Sequence, residues 1–267
     1  MLIDFHSHIF PDKIAVGAVH SLSNSIVNFQ GVRYRHYTRG TLESLRCSME
    51  RNSVDMSVIM PIATKPTQTK SINEFAKSLR NDRIVSFGSL HPDQDDWEDV
   101  LENLADDGFK GIKLHPEYQS FFVDSKRSID ILEKAEKLGL YVVLHTGFDH
   151  GMPPPAHCQP DRLKNVLEYV SGRFIIAAHL GAFGNWDEVE RYLVGTPLNF
   201  DTAVISKFIE PEQCRRIIKN HGSDKILFGS DSPWGNASAE RDFILNLGLT
   251  EEENENILFR NALKILK

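Results

Sequence analysis

Five short apolar runs in this chain each close on a histidine or an aspartate. The first, Met1-Leu2-Ile3-Asp4-Phe5, leads into His6-Ser7-His8. The others are residues 111–115 ending on His115, 140–145 ending on His145, 174–179 ending on His179, and 225–231 ending on Asp231. The runs are continuously apolar rather than alternating, as parallel strands buried on both faces are. Helical patterns stand between them. Parallel strands laid side by side bring their C-terminal ends to one rim, so the closing residues would meet there. Residues i and i+2 of an extended backbone project to one side. His6 and His8 can therefore address one ion, and imidazole nitrogen suits zinc, iron, nickel and copper.

Composition narrows the setting. With 267 residues, 41% of them hydrophobic, the chain can bury a sizeable core, and no composition shift marks a linker, so residues 1–267 read as a single domain. A net charge of −7 argues against a nucleic-acid backbone as partner. No apolar run reaches the ~18 residues of a membrane span, and the chain starts directly on a strand with no basic leader. Three widely spaced cysteines, Cys47, Cys158 and Cys214, form no disulfide framework, which fits a reducing cytoplasm. A small-molecule substrate is the expected partner, with neither nucleic acid nor membrane, and homo-oligomerisation is left open.

Strand and helix recur along the chain. Residues 9–40, rich in His, Ser, Asn, Arg and Tyr, show no clear period and read as an insertion. Residues 41–52 read as a helix with Thr41 as N-cap. A second strand covers 54–60, a helix 71–80, a third strand 84–90, and a helix 95–107 closed by Gly108. Helices at 128–138, 161–170, 186–193 and 212–220 alternate with the remaining strands, the seventh at 198–202. Met152-Pro153-Pro154-Pro155 is too stiff and donor-poor for regular structure. Helices at 240–247 and 251–266 close the chain. Eight strands with intervening helices predict an α/β fold of the TIM (β/α)8 barrel type. An open doubly wound sheet would carry a glycine-rich phosphate turn after its first strand, where His6-Ser7-His8 stands instead.

In order and spacing, six pieces resemble the amidohydrolase superfamily. They are Asp4-Phe5-His6-Ser7-His8, Gly111-Ile112-Lys113-Leu114-His115-Pro116, Leu144-His145-Thr146-Gly147, Ala178-His179-Leu180-Gly181, Phe228-Gly229-Ser230-Asp231-Ser232-Pro233-Trp234, and the tail 257–266. More narrowly they are similar to the amidohydrolase 2 branch, which includes aminocarboxymuconate semialdehyde decarboxylase and related hydro-lyases, lactonases and decarboxylases. The resemblance implies that His6, His8, His145 and Asp231 hold one divalent ion. It implies that Asp231 also shuttles a proton and that His179 orients the water or polarises the substrate. Zinc is the first expectation, with Mn, Fe, Co and Ni accepted by the same donors. Binuclear members bridge two metals through a carboxylated lysine or a glutamate on strand four. Here Lys113 lies on that strand but His115 ends it, which favours one metal.

Such a site lowers the pKa of bound water from near ~16 to about 7 in the best-known zinc case. The leading expectation is a metal-dependent hydrolase of a small carbonyl substrate: an amide, lactone or ester. The alternatives are a non-oxidative decarboxylase or hydratase on the same metal, and a catalytically silent barrel acting as a binding protein. A phosphoesterase of the polymerase-and-histidinol-phosphatase type would need a late Asp-x-His, where this chain has Asp231-Ser232-Pro233. His115, Lys113 and Trp234 are read as substrate-facing. Their plainer roles are a fixed turn before Pro116, a barrel-interior cation and a packed wall. Arg33, Arg35 and Arg39 either bind a substrate carboxylate or are solvated. His157 and Cys158 lie in the proline loop, within reach of the rim. His20, His36, His91, His150 and His221 read as surface or loop residues.

Overall fold

The computed structural model describes residues 1–31 and 35–267, and Arg33 lies outside them. Strand β1 (Ile3–Ser7) pairs in parallel with β2 (Met56–Ile59), and β2 with β3 (Ile84–Ser86). A second parallel series runs β4 (Gly88–Ser89), β5 (Gly111–Leu114), β6 (Tyr141–Leu144), β7 (Ile175–Ala177), β8 (Asn199–Asp201) and β9 (Ile226–Leu227). β3 and β4 are the two halves of the predicted third strand, interrupted at Phe87. The Phe87 N–H still donates to Ile59 O at 2.9 Å. The ring closes between β9 and β1. Phe5 N–H donates to Phe228 O and Asp231 N–H to His6 O, both at 2.8 Å, and Ser7 bridges Ser232 in parallel. This is the expected eight-stranded barrel, with strands shorter than the apolar runs that signal them.

Both strand faces are buried, which explains the continuous apolar runs. Ile3, Phe5, Val58, Met60, Phe87, Val143, Ile176 and Leu227 form one cluster, together with Ala262 and Ile265 from the end of the chain. Their strand neighbours Ile112, Leu114, Val142, Leu144, Ile175, Phe200 and Ile226 belong to a second cluster shared with the helices. Alternation along each strand sends one set inward and the other outward.

Helix α1 (Asp12–Gln30) lies where no period was expected. Along it Ala15, Val19 and Ser23, four residues apart, are buried, while Ile14 and Val16 face out. So narrow a buried stripe, with apolar residues off it, leaves no amphipathic signal in the sequence. α2 (Leu42–Asn52) starts as predicted. The Thr41 side chain accepts the Ser44 N–H while the Ser44 hydroxyl answers the Thr41 N–H. α3 (Thr69–Leu79), α4 (Trp97–Asp106), α5 (Lys126–Lys137), α6 (Pro160–Val166), α7 (Trp186–Tyr192), α8 (Pro211–His221) and α9 (Ala237–Leu245) follow. The final helix continues from α10 (Glu251–Glu255) through a π-helical turn, Asn256–Arg260, into α11 (Asn261–Leu266).

Two histidines read as surface or loop residues are buried, His91 in a loop and His221 at the end of α8. His221 Nε2–H donates to Leu198 O at 2.9 Å, its Nδ1 accepts the Gly195 N–H at 3.2 Å, and its ring stacks on Phe200 at 4.0 Å. Burial pushes its pKa down to about 4. Among the described residues no helix is long and apolar enough to cross a membrane.

Candidate functional site

The site begins with a slip in register. Asp4 lies opposite Ser57 and Ser7 opposite Ile59, so three steps on β1 match two on β2. One extra residue re-aims the side chains beyond it. Phe5 packs in the barrel interior, and His6 turns inward as well, its Nε2 at 3.3 Å from Lys113 Nζ. Asp4 anchors the slip. Its buried carboxylate accepts the Ser7 hydroxyl at 2.9 Å, the Ser230 N–H at 2.8 Å and the Ser230 hydroxyl at 2.5 Å. Burial raises its pKa to about 6, with those hydrogen bonds opposing.

The rim holds a set of lone pairs facing one another. His6 Nδ1–H donates to Asp201 Oδ2 at 2.8 Å, and His8 Nδ1–H donates to Met60 O at 2.7 Å. Both acceptors are oxygens without a proton, so each ring carries its lone pair on Nε2. Those two Nε2 atoms are 3.2 Å apart, with Asp231 Oδ1 at 3.7 Å from the first and 3.3 Å from the second. Three acceptors that close repel unless something positive lies between them. Tetrahedral ligands with metal bonds of about 2.0–2.1 Å stand roughly 3.3 Å apart, so these residues fit a divalent cation. Asp201 is the outer partner that fixes the His6 tautomer.

Electrostatics agree. Burial pushes the His6 pKa down to about 4, helped by the Lys113 charge, so its imidazole is neutral as a ligand must be. Burial works to raise the Asp231 carboxyl, but its close contacts with His8 and His6 outweigh it and hold the pKa at about 2. Lys113 is fully buried, and burial lowers its pKa to about 8 against the pull of Asp201 and Asp231. Burial also drives His115 and His145 well below their ordinary value.

His179 and His145 form a relay on the next strands. His179 Nδ1–H donates to Ala203 O at 2.9 Å, so its Nε2 accepts the His145 Nδ1–H at 3.0 Å. The His145 lone pair is thereby placed on Nε2, a buried atom with no hydrogen-bond partner among the described residues. That atom groups with His115 and Asp149 rather than with His6, His8 and Asp231. His179 and Asp231 both hold left-handed backbone, φ 57° and 60°, uncommon for residues with a Cβ. Their N–H groups are pinned, His179 to Asp201 Oδ1 at 3.0 Å and Asp231 to His6 O at 2.8 Å.

A cleft of about 290 Å³ is lined by Phe148, Met152, Pro153, Pro154 and Phe183, with Asp149 and Glu117 among its polar groups. Glu117 is buried, and its carboxylate accepts both the His157 N–H, at 2.6 Å, and the His157 Nδ1–H. His157 thus holds the cleft loop, and Cys158 O accepts the Gly147 N–H at 2.9 Å. Trp234 is half-buried on the turn after β9, its N–H donating to Asp231 O at 2.7 Å, and stands outside the cleft lining. Asp201, Asp149, Asp4 and Glu117 escaped the sequence reading. For Asp201 the signal was present, a carboxylate closing the run Leu198-Asn199-Phe200 as Asp231 closes another.

The Amidohydrolase family model matches residues 3–267, and the chain belongs to that family of enzymes. Among curated protein sequences none matches the chain. Solved structures share the fold at low identity. A 2,6-dihydroxybenzoate decarboxylase complexed with 2,6-dihydroxybenzoate is 14% identical with a TM-score of 0.71, covering 99% of this chain and 98% of that one. The 5-carboxyvanillate decarboxylase of Sphingomonas paucimobilis is 18% identical with a TM-score of 0.72, over 99% and 98%. That of Novosphingobium aromaticivorans, with bound manganese and 3-methoxy-4-hydroxy-5-nitrobenzoic acid, is 14% identical with a TM-score of 0.72, over 100% and 97%.

Proposed function

We propose that this enzyme is a metal-dependent, non-oxidative decarboxylase of a small hydroxylated arylcarboxylate. The observation that carries the reading is an apolar cleft, walled by Phe148, Met152, Pro153 and Phe183, in a molecule whose rim sets His6, His8 and Asp231 beside the buried cation Lys113. Such a cleft suits a flat ring, and the cation suits its anionic substituents. The structural neighbours named as decarboxylases lend the same reading support. The hydrolase expected first from the sequence shares the same residues but lacks that support.

His6, His8 and Asp231 would hold the ion, with Asp201 and Met60 O fixing the two imidazoles. Bound there, a divalent ion supplies Lewis acidity toward substrate oxygens. Lys113 neutralises substrate charge at the rim. Asp231, ionised before substrate enters, takes the proton of the substrate hydroxyl and delivers it to the ring carbon that bears the carboxylate. The bond from that carbon to the carboxylate then breaks, its electron pair returns to the ring, and carbon dioxide leaves. His179 holds His145 in place and lines the same rim. The ion itself is proposed as zinc or manganese.

The experiment is carbon dioxide release from 2,6-dihydroxybenzoate and 5-carboxyvanillate by Mn²⁺-loaded enzyme, with lactones and amides as comparison substrates. Release that falls at least 100-fold in Asp231→Asn is the expected result, in the range that loss of a positioned proton carrier produces. Turnover of a lactone or amide with no carbon dioxide from any arylcarboxylate would return the enzyme to the hydrolases.

A further inference from the structure

We propose that the hollow between α6 and α7, at the end of the barrel away from the histidine rim, binds a small carboxylate carried on an apolar body. The hollow measures about 640 Å³. The end of α6 and the turn after it supply Lys164, Leu167 and Val170, and the end of α7 and the loop before β8 supply Arg191, Tyr192 and Val194. Segments that lead into strands lie at the face opposite the catalytic rim. The hollow is therefore separate from the cleft, by the length of two seven-residue helices of about 10 Å each.

Charge selects the ligand. The chain carries a net charge of −7, yet the lining of this hollow holds two cations and, among the described residues, no carboxylate. Lys164 Nζ makes no ion pair or hydrogen bond among the described residues. Arg191 Nη1 stands 3.8 Å from Glu188 on an exposed helix face, a contact worth little. Its guanidinium lies 5.0 Å from the centre of the Tyr192 ring, which keeps it beside the hollow.

A plainer reading covers part of this. Cations in the last turn of a helix complement its dipole, and Lys164 and Arg191 both stand there. That accounts for the charges and not for the space. At the rim end the two helices are tied, Asn185 Nδ2–H donating to Gln159 Oε1 at 2.9 Å and Trp186 Nε1–H to His179 O at 3.1 Å. At the other end Leu167, Tyr192 and Val194 leave apolar surface half exposed around the gap. Gly195, on its edge, has nothing within 4 Å of where a Cβ would stand, so the space is open to entry. Apolar walls with a few charged groups suit a ligand with an apolar body and an anionic end. A carboxylate on an aromatic ring or on a short acyl chain meets both demands.

The test is equilibrium dialysis of radiolabelled benzoate and hexanoate against Mn²⁺-loaded wild type and against His6→Ala/His8→Ala, which removes the rim histidines. Lys164→Ala/Arg191→Ala and Val194→Glu are each added to that variant, and circular dichroism confirms that every protein is folded. Wild type and His6→Ala/His8→Ala should both bind one equivalent at this hollow, the tighter probe naming the body as ring or chain. Either addition should weaken that binding about 10-fold or more, as loss of charge-assisted contacts does. Inorganic phosphate should compete about 10-fold less well. Binding lost in His6→Ala/His8→Ala belongs to the catalytic rim and overturns the proposal. Binding that survives both additions, or no binding at millimolar probe, overturns it too. Phosphate competing as well as the carboxylates overturns the apolar body.

Discussion

Asp201 holds His6 in the one tautomer that can bind a metal. Its Oδ2 accepts the His6 Nδ1–H at 2.8 Å, and its Oδ1 accepts the N–H groups of His179 and Ala203, both at 3.0 Å. One fully buried carboxylate thus aims the first histidine and fixes the backbone that carries His179. Burial works against its ionisation, but the His6 contact and the Lys113 charge win and hold it well below the usual carboxylate range.

Asp201→Asn should therefore act through a proton rather than a shape. The amide oxygen can still serve His179 and Ala203, while the NH₂ group faces His6 Nδ1 and drives its proton to Nε2. Metal affinity should fall about 10–100-fold with the fold intact, as outer-partner losses do. Metal titration beside circular dichroism checks it, and an unchanged dissociation constant would show that Asp201 only packs.

Gly147 carries a different prediction. Its φ is +83°, and a Cβ there would sit 2.2 Å from Phe183 N and 2.4 Å from Phe183 O. Backbone cannot give way as a side chain can. Gly147 also ties the loop after β6 to the loop after β7, through Phe148 N–H to Phe183 O at 3.0 Å. Gly147→Ala should cost about 3 kcal/mol or more, lowering the melting midpoint by roughly 10 °C. A melting curve within a degree or two of wild type would contradict the geometry.

Much of this architecture was legible in the chain. Parallel strands buried on both faces must be apolar throughout, so a lone polar residue closing such a run stands out, and His6, His115, His145, His179 and Asp231 did. Helix α1 was not legible, because among its described residues only Ala15, Val19 and Ser23 are buried. The inward turn of His6 after Phe5 was not legible either, since a register slip depends on the partner strand. Asp149 comes from a loop, where neither spacing nor period links it to His115. The two meet, His115 Nε2 at 3.4 Å from Asp149 Oδ2, only once β5 and β6 lie side by side.

Glu240 should make stability depend on pH. Burial raises its carboxyl from 4.5 to about 7, with the Ser206 hydroxyl and N–H opposing at 2.7 and 3.0 Å. Below pH 4.5 the group is protonated in both folded and unfolded chains. Between 4.5 and 7 the unfolded chain loses its proton first, so stability falls as pH rises. The full effect, of order 3 kcal/mol, is present above about 7. Glu240→Gln keeps partners for Ser206 without the charge. Denaturant unfolding at pH 5 and 8 should show the variant gaining on wild type at the higher pH, and parallel pH profiles would count against the assignment.

The central claim is that a metal sits among His6 Nε2, His8 Nε2 and Asp231 Oδ1, and anomalous diffraction at the absorption edge of the bound metal tests it most directly. Crystals of Mn²⁺-loaded wild type should give a strong peak within about 2.3 Å of all three atoms, lost in His6→Ala/His8→Ala. Diffraction from fully loaded crystals with no anomalous peak between these residues would contradict the account.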